Sequence, residues 1–286
     1  MKLVGGTFQI QDWFAPRNSQ DPPDERFGFS LKTFDGDLGS AGPVAVPNSR
    51  LLLAGGKEGR LYLIDRSDMG RGTKFALQSF QVTRQPRSNV PGKPTKAGEV
   101  LFWNIHGAPV IWPTVDNMFV YVMGEEDNLK QYRLVPDGAS SWTFDRSFEK
   151  KSPETPGLPP PNLLNDPHRR MIWMPGGFLT LSGDKSSTPP TAIVWATMPF
   201  NENANHAVVR GALRAFDASD VSKGQIWGSE DSEATNNLGF FAKYNPPVIA
   251  NGRVYVATFH QERMDNNRPV KAEGGLKPAL VIYGLK

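Results

Sequence analysis

A chain of 286 residues with 38% hydrophobic and 21% charged residues holds enough apolar material for a core and too little charge to remain unfolded. The net charge of +3 comes from 32 basic and 29 acidic residues that are interspersed, with no basic run interleaved with aromatics, which argues against a nucleic-acid partner. The absence of cysteine excludes disulfides, thiolate nucleophiles and cysteine–metal centres. No apolar run reaches the roughly 18 residues of a membrane span, and Met1–Gly6 lacks the apolar core of a signal peptide.

The 28 glycines and 25 prolines point to short strands joined by turns. In chain order, Thr7–Phe14 alternates like a strand. The first unit opens at Gly42-Pro43-Val44, continues through Leu51–Ala54, turns at Gly55–Gly59 and returns as Leu61–Asp65. A second unit opens at Gly107–Val110, continues through Met118–Val122, turns at Gly124–Asn128 and returns as Leu129–Arg133. A third opens at Pro175–Leu179, continues through Ala192–Ala196 and returns as Ala212–Asp217. The fourth opens at Asn245–Val248, continues through Arg253–Ala257 and ends on Ala279–Tyr283.

With Val44, Val110, Phe178 and Val248 as equivalents, the spacings are 66, 68 and 70 residues. No stretch keeps a 3.6-residue apolar period for three turns, so the surplus over a plain propeller blade lies in loops such as Lys151–Pro161. Hairpins in a β-sandwich are the alternative. Recurrence of the whole unit, lead-in included, favours an all-β propeller of about four blades, either complete or part of a ring. The expected organisation is one domain over 1–286, with units of about 37–100, 101–165, 166–235 and 236–286. The segment 7–14 is the candidate outer strand that closes the last blade.

The wording of Asp37–Val44, Gly55–Asp65 and Gly211–Ala218 with Trp227 resembles the repeats of pyrroloquinoline-quinone-like β-propellers, the quinoprotein dehydrogenase-like group. Ala242–Val248 with Val254–Val256 is similar to the last blade of such proteins. The resemblance implies a tryptophan, Trp227, packed between blades. It also implies a periplasmic or secreted setting, and an oxidoreductase using pyrroloquinoline quinone, with calcium, on a sugar or alcohol. Members of the group commonly carry a vicinal cysteine pair and seven or eight blades; here there is no cysteine and four units are seen. Two copies completing one ring is one reading of that count.

In a propeller the lead-ins to the inner strands and the loops between second and third strands open on one face. That places His106, His206 and His260, with Lys57 and Glu58, as candidate acid–base or metal groups, neutral imidazole at pH 7 suiting either task. Trp173, Lys243 and Asn245 are the candidate cofactor-holding residues. Glu125, Asp127 and Asn128 offer oxygen ligands for calcium; the alternative is a charged hairpin tip in which Asp127-Asn128 supplies the turn. No Gly-x-Ser-x-Gly elbow and no glycine-rich strand-to-helix loop is present. Three functions follow as alternatives: the quinone-linked oxidoreductase, a non-catalytic propeller binding protein or glycan, and a hydrolase or lyase on a carbohydrate polymer or ester.

Overall fold

The computed structural model describes residues 2–16, 36–83, 104–138, 141–154, 174–184, 186–188, 190–205, 207–231, 238–259, 263–265, 268–270 and 278–284. In chain order the strands are β1 Lys2–Val4, β2 Thr7–Gln9, β3 Ala41–Ala45, β4 Leu51–Gly55, β5 Arg60–Asp65, β6 Gln78–Gln81, β7 Val110–Pro113, β8 Met118–Val122, β9 Lys130–Pro136 and β10 Trp142–Lys151. They continue as β11 Phe178–Asp184, β12 Thr191–Pro199, β13 Gly211–Asp217, β14 Gln225–Gly228, β15 Phe240–Phe241, β16 Val248–Ala250, β17 Arg253–Phe259, β18 Arg263–Asp265, β19 Arg268–Val270 and β20 Leu280–Gly284.

Three antiparallel meanders of four strands follow one another: β3–β6, β7–β10 and β11–β14. A fourth sheet joins β16, β17 and β20, with the short β15 on the end of β17; β1–β2 and β18–β19 are two-stranded ribbons. Each strand's alternation decides which neighbour its side chains meet. In β8, Met118, Val120 and Val122 join the Leu51, Leu53, Leu61 and Leu63 core of the first blade. Phe119 and Tyr121 of the same strand point the other way, onto Val194, Ala196 and Met198 of the third. Leu213, Val254 and Val256 then form the core between the third and fourth blades. Four successive sheets stacked face to face in this way make a four-bladed β-propeller, as the repeat spacing predicts. Trp227 lies between blades three and four, 6.3 Å from the Trp195 ring and 5.3 Å from Tyr283, the position that the resemblance implies for it.

The two ends of the stack differ. The outer face of blade one, Ala54, Tyr62 and Ile64, is buried, with Phe14, Leu38, Met69 and Ala76 packed on it. The Asp12 carboxylate accepts from the Met69 and Arg71 amides and thereby anchors this cover. Residues 7–9 pair with β1, and Phe14 sits 5.4 Å from the Tyr62 ring. Of the segment 7–14 expected to extend the last blade, Thr7–Gln9 pairs with β1, and Asp12 and Phe14 meet blade one. On the outer face of blade four, by contrast, Val248, Leu280 and Ile282 are exposed among the described residues.

Polar groups also tie blades together. Tyr121 OH donates to the Ala218 carbonyl at 2.5 Å, and burial pushes its phenol well above the usual value. Gln131 Nε2 donates to the same carbonyl at 3.1 Å. Lys150 of blade two reaches Asp220 of blade three at 2.8 Å. Hydrogen bonds from Lys150 and then Ser222 hold the Asp220 carboxyl at about 2, below its ordinary 3.8. A carboxyl depressed on folding stabilises the native state above its unfolded pKa, and that contribution disappears as pH falls from about 4 towards 2. Asp220→Asn is expected to flatten the stability profile in that window by lowering stability above about pH 4, neutral pH included, and to leave the region below about pH 2 little changed, as read by urea unfolding at stepped pH. An unaltered acid limb would mean that the pair contributes nothing.

Candidate functional site

The hairpin tips of blades one and two are built alike. Lys57 N donates to Asp37 O at 3.0 Å, and Glu125 N donates to Asn104 O at 2.9 Å. One repeat apart, the same backbone bond clips a tip to its own lead-in, and the tip side chain then turns onto that lead-in. Lys57 Nζ lies 2.7 Å from Asp37 Oδ2 at a partly exposed position. Glu125 is fully buried: its carboxylate accepts from Asn104 N at 3.0 Å and Asn104 Nδ2 at 3.3 Å, and Oε1 lies 2.8 Å from His106 Nε2. Blade two thus places a buried carboxylate–imidazole pair where blade one has an ion pair.

His106 connects this pair to the fourth blade. Its ring stands edge-on to Tyr244 with centroids 5.8 Å apart, and Tyr244 also packs on Phe178 at 5.7 Å. Tyr244 has φ 64° and a 59% exposed side chain, so the backbone of the lead-in turns to hold the ring at the surface. On either side, Lys243 Nζ donates to Asn205 O at 3.0 Å, and Asn245 Nδ2 donates to Lys243 O at 2.8 Å. Thr197 Oγ1 donates to Asn245 O at 3.0 Å and fixes the segment against blade three. Asn205, Lys243, Tyr244 and Asn245 line a cleft of about 480 Å³ with Val208 and Phe259 on its rim.

The structure brings together His106, Glu125, Lys243 and Asn245 through Tyr244, and leaves the other expected residues apart. Glu58 is buried and accepts from Tyr62 OH. Asp127 pairs with Lys130 at 2.8 Å, and Asn128 donates its amide to Ser152 O at 2.7 Å and Glu154 O at 2.5 Å. Glu125, Asp127 and Asn128 therefore face three different partners instead of one ion. Among the described residues no three His, Asp or Glu side chains meet at metal-binding distance. His206, His260 and Trp173 lie outside the described residues. Asn104 is the contributor not counted among the candidates; in the sequence Tyr244 stands in the lead-in between Lys243 and Asn245 without a role of its own. Asn104 had a sequence signal, since it stands one repeat after Asp37, while the exposure of Tyr244 depends on a backbone angle.

The described lining of the cleft does not suit pyrroloquinoline quinone. That cofactor carries three carboxylates, and Lys243, the single cation lining the described cleft, already donates to a backbone carbonyl. Among the described residues no helix is long and apolar enough to cross a membrane.

No protein-family model matches the chain, and no curated protein matches it. Among solved structures it is similar to the crystal structure of BamB from Moraxella catarrhalis, with 14% identity and a TM-score of 0.30. That match covers 76% of this chain and 55% of the other, so the chain spans about half the length of that protein. The class of the protein, a four-bladed β-propeller, rests on its own sheets.

Proposed function

We propose that the chain is a non-catalytic propeller that holds a polypeptide segment in the cleft beside Lys243, Tyr244 and Asn245. The observation that carries this reading is the rim: Val208, Tyr244 and Phe259 are 42%, 59% and 51% exposed around a pocket whose polar groups are backbone-anchored amides and one lysine. Apolar anchors in a recess edged by oriented polar groups are what a partner's side chains dock into. The carboxylates of the face are engaged in holding hairpin tips, which supports a scaffold over an acid–base catalyst. A periplasmic or secreted setting goes with the quinoprotein-like repeat.

The test starts from peptides selected on the immobilised protein from a random display library. Tyr244→Ala is expected to weaken the selected peptide roughly 10- to 100-fold, in line with loss of an aromatic anchor, with the thermal midpoint little changed because the ring is exposed. Equal affinity of wild type and variant overturns the reading. So does turnover of sugars or alcohols on addition of the quinone and calcium. Binding on a glycan array with no peptide selected moves the partner to carbohydrate.

A further inference from the structure

We propose that the recess where the outer strand of blade one, β6, meets that of blade two, β10, binds a small quaternary ammonium compound, whose trimethylammonium head packs against the rings of Phe80, Tyr132 and Phe144. The recess exists because β10 leaves its ladder. Its register with β9 shifts between Phe144 and Glu149, and in the gap the Asp145 carboxylate accepts from the amide and hydroxyl of Ser147. Before the shift the strand is fixed to blade one, where Phe144 N donates to Gln78 Oε1 at 2.7 Å. The space of about 190 Å³ beside the irregularity is lined by four rings, Phe80 of β6, Tyr132 of β9 and Phe144 and Phe148 of β10, with Arg146 and Glu149 next to them. None of these residues lines the cleft at Tyr244.

Three features select a cation without N–H groups. First, the rings stand nearly at right angles: Phe80 to Phe144 at 76° with centroids 4.9 Å apart, Phe80 to Tyr132 at 66° and 5.2 Å, and Tyr132 to Phe144 at 87° and 6.3 Å. Three such planes form the corner of a box, and the negative faces of aromatic rings attract cations. Second, the chain already sets its own cations on rings of this recess. Arg133 Cζ lies 4.5 Å from the Phe148 centroid, and Arg146 Cζ lies 5.7 Å from that of Phe80. Arg133 is held by Asp145, whereas Arg146 is exposed and has no ion-pair partner among the described residues, so a ligand cation can take its place over Phe80. Glu149, which the register sets opposite Tyr132, likewise has none and supplies the countercharge. Third, ring faces accept only weak hydrogen bonds. A primary ammonium would leave its donors unmet there, whereas a trimethylammonium head has no donor to lose.

Choline, titrated against the intact chain and followed by its methyl proton resonance, is expected to bind at roughly 1 mM, the affinity of a few cation–ring contacts. The resonance is expected to move upfield, as protons held over ring faces do. The neutral isostere of choline, in which carbon replaces the quaternary nitrogen, is expected to bind at least about 10-fold more weakly. Glu149→Gln, at an exposed position, is expected to weaken choline roughly 3-fold. Phe80→Leu, which keeps an apolar side chain without the ring, is expected to weaken it about 10-fold or more. Arg146→Ala is expected to tighten binding roughly 2- to 5-fold, because the competing guanidinium has left the Phe80 ring. No saturable shift up to about 20 mM, well above the expected range, overturns the proposal. So does an isostere that binds as well as choline, which would make the recess merely apolar, or an Arg146→Ala protein that binds choline more weakly than wild type. The peptide-binding reading is tested at Tyr244 in a separate cleft, so the two hold or fail independently.

Discussion

Glu125→Ala is expected to lower stability by about 2–4 kcal/mol, because removing the carboxylate leaves buried polar groups without their acceptor. Three donors converge on it: the Asn104 backbone N–H, the Asn104 amide and His106 Nε2 at 2.8 Å. Glu125 itself is fully buried and His106 is 8% exposed, so solvent does not readily replace what is lost. A fall of roughly 5–15 °C in Tm goes with that range for a domain of this size. Lys57→Ala provides the internal comparison. It removes the equivalent tip-to-lead-in contact, but the Asp37 side chain that it meets is 60% exposed, and an exposed pair contributes about 0–1 kcal/mol. The contrast tests whether burial, and not the shared backbone clip, makes the second blade's tip the stronger fastening. Urea unfolding of both variants reads it directly. A Glu125→Ala protein within about 0.5 kcal/mol of wild type, the ordinary scatter of a neutral surface change, would show that the pair is dispensable.

The parts of the fold that could be read in advance are those in which local pattern and tertiary burial agree. Met118–Val122 is apolar because blades press on both of its faces, and Leu51–Ala54 and Leu61–Asp65 because blade two presses on one face and Phe14, Leu38 and Met69 cover the other; all three are strands in the structure. The outermost strands are less legible, since one edge meets water. β10 runs from Trp142 to Lys151 through Asp145, Arg146 and Ser147, and its register shifts between Phe144 and Glu149. An irregularity held by Arg133–Asp145 and the Asp145–Ser147 turn has no period to detect. The N-terminal segment differs from expectation in extent and in partner: only Thr7–Gln9 is strand, and it pairs with β1. Alternation in Thr7–Phe14 cannot say which sheet edge it meets, and the Met69 and Arg71 amides that recruit Asp12 are nearly sixty residues away. At the site, topology predicted which loops share a face, and His106 and Glu125 do meet. It did not indicate that Asp127 would turn to Lys130, or that Asn128 would hold the chain at Ser152 and Glu154. Those choices depend on ångström-scale placement.

Gly176→Ala is the second large effect, expected at about 3 kcal/mol or more from two additive causes. Gly176 has φ +88°, a region that an L side chain adopts only with strain. A Cβ there would also stand 2.8 Å from Gly124 C, 2.9 Å from Gly124 O and 3.1 Å from Glu125 N, all backbone atoms that cannot rotate aside. The lead-in of blade three and the tip of blade two must therefore separate, and the tip carries Glu125 with it. Gly252→Ala isolates the first cause: φ is +70° and nothing lies within 4 Å of the added carbon, so that variant is expected to cost only about 1 kcal/mol. The excess at Gly176 measures the collision. Because the collision acts on the Glu125 tip, combining Gly176→Ala with Glu125→Ala is expected to cost clearly less than the two single losses added together, whereas Gly252→Ala with Glu125→Ala is expected to add within about 0.5 kcal/mol. Additivity in the first pair would mean that blade three does not press on the Glu125 tip.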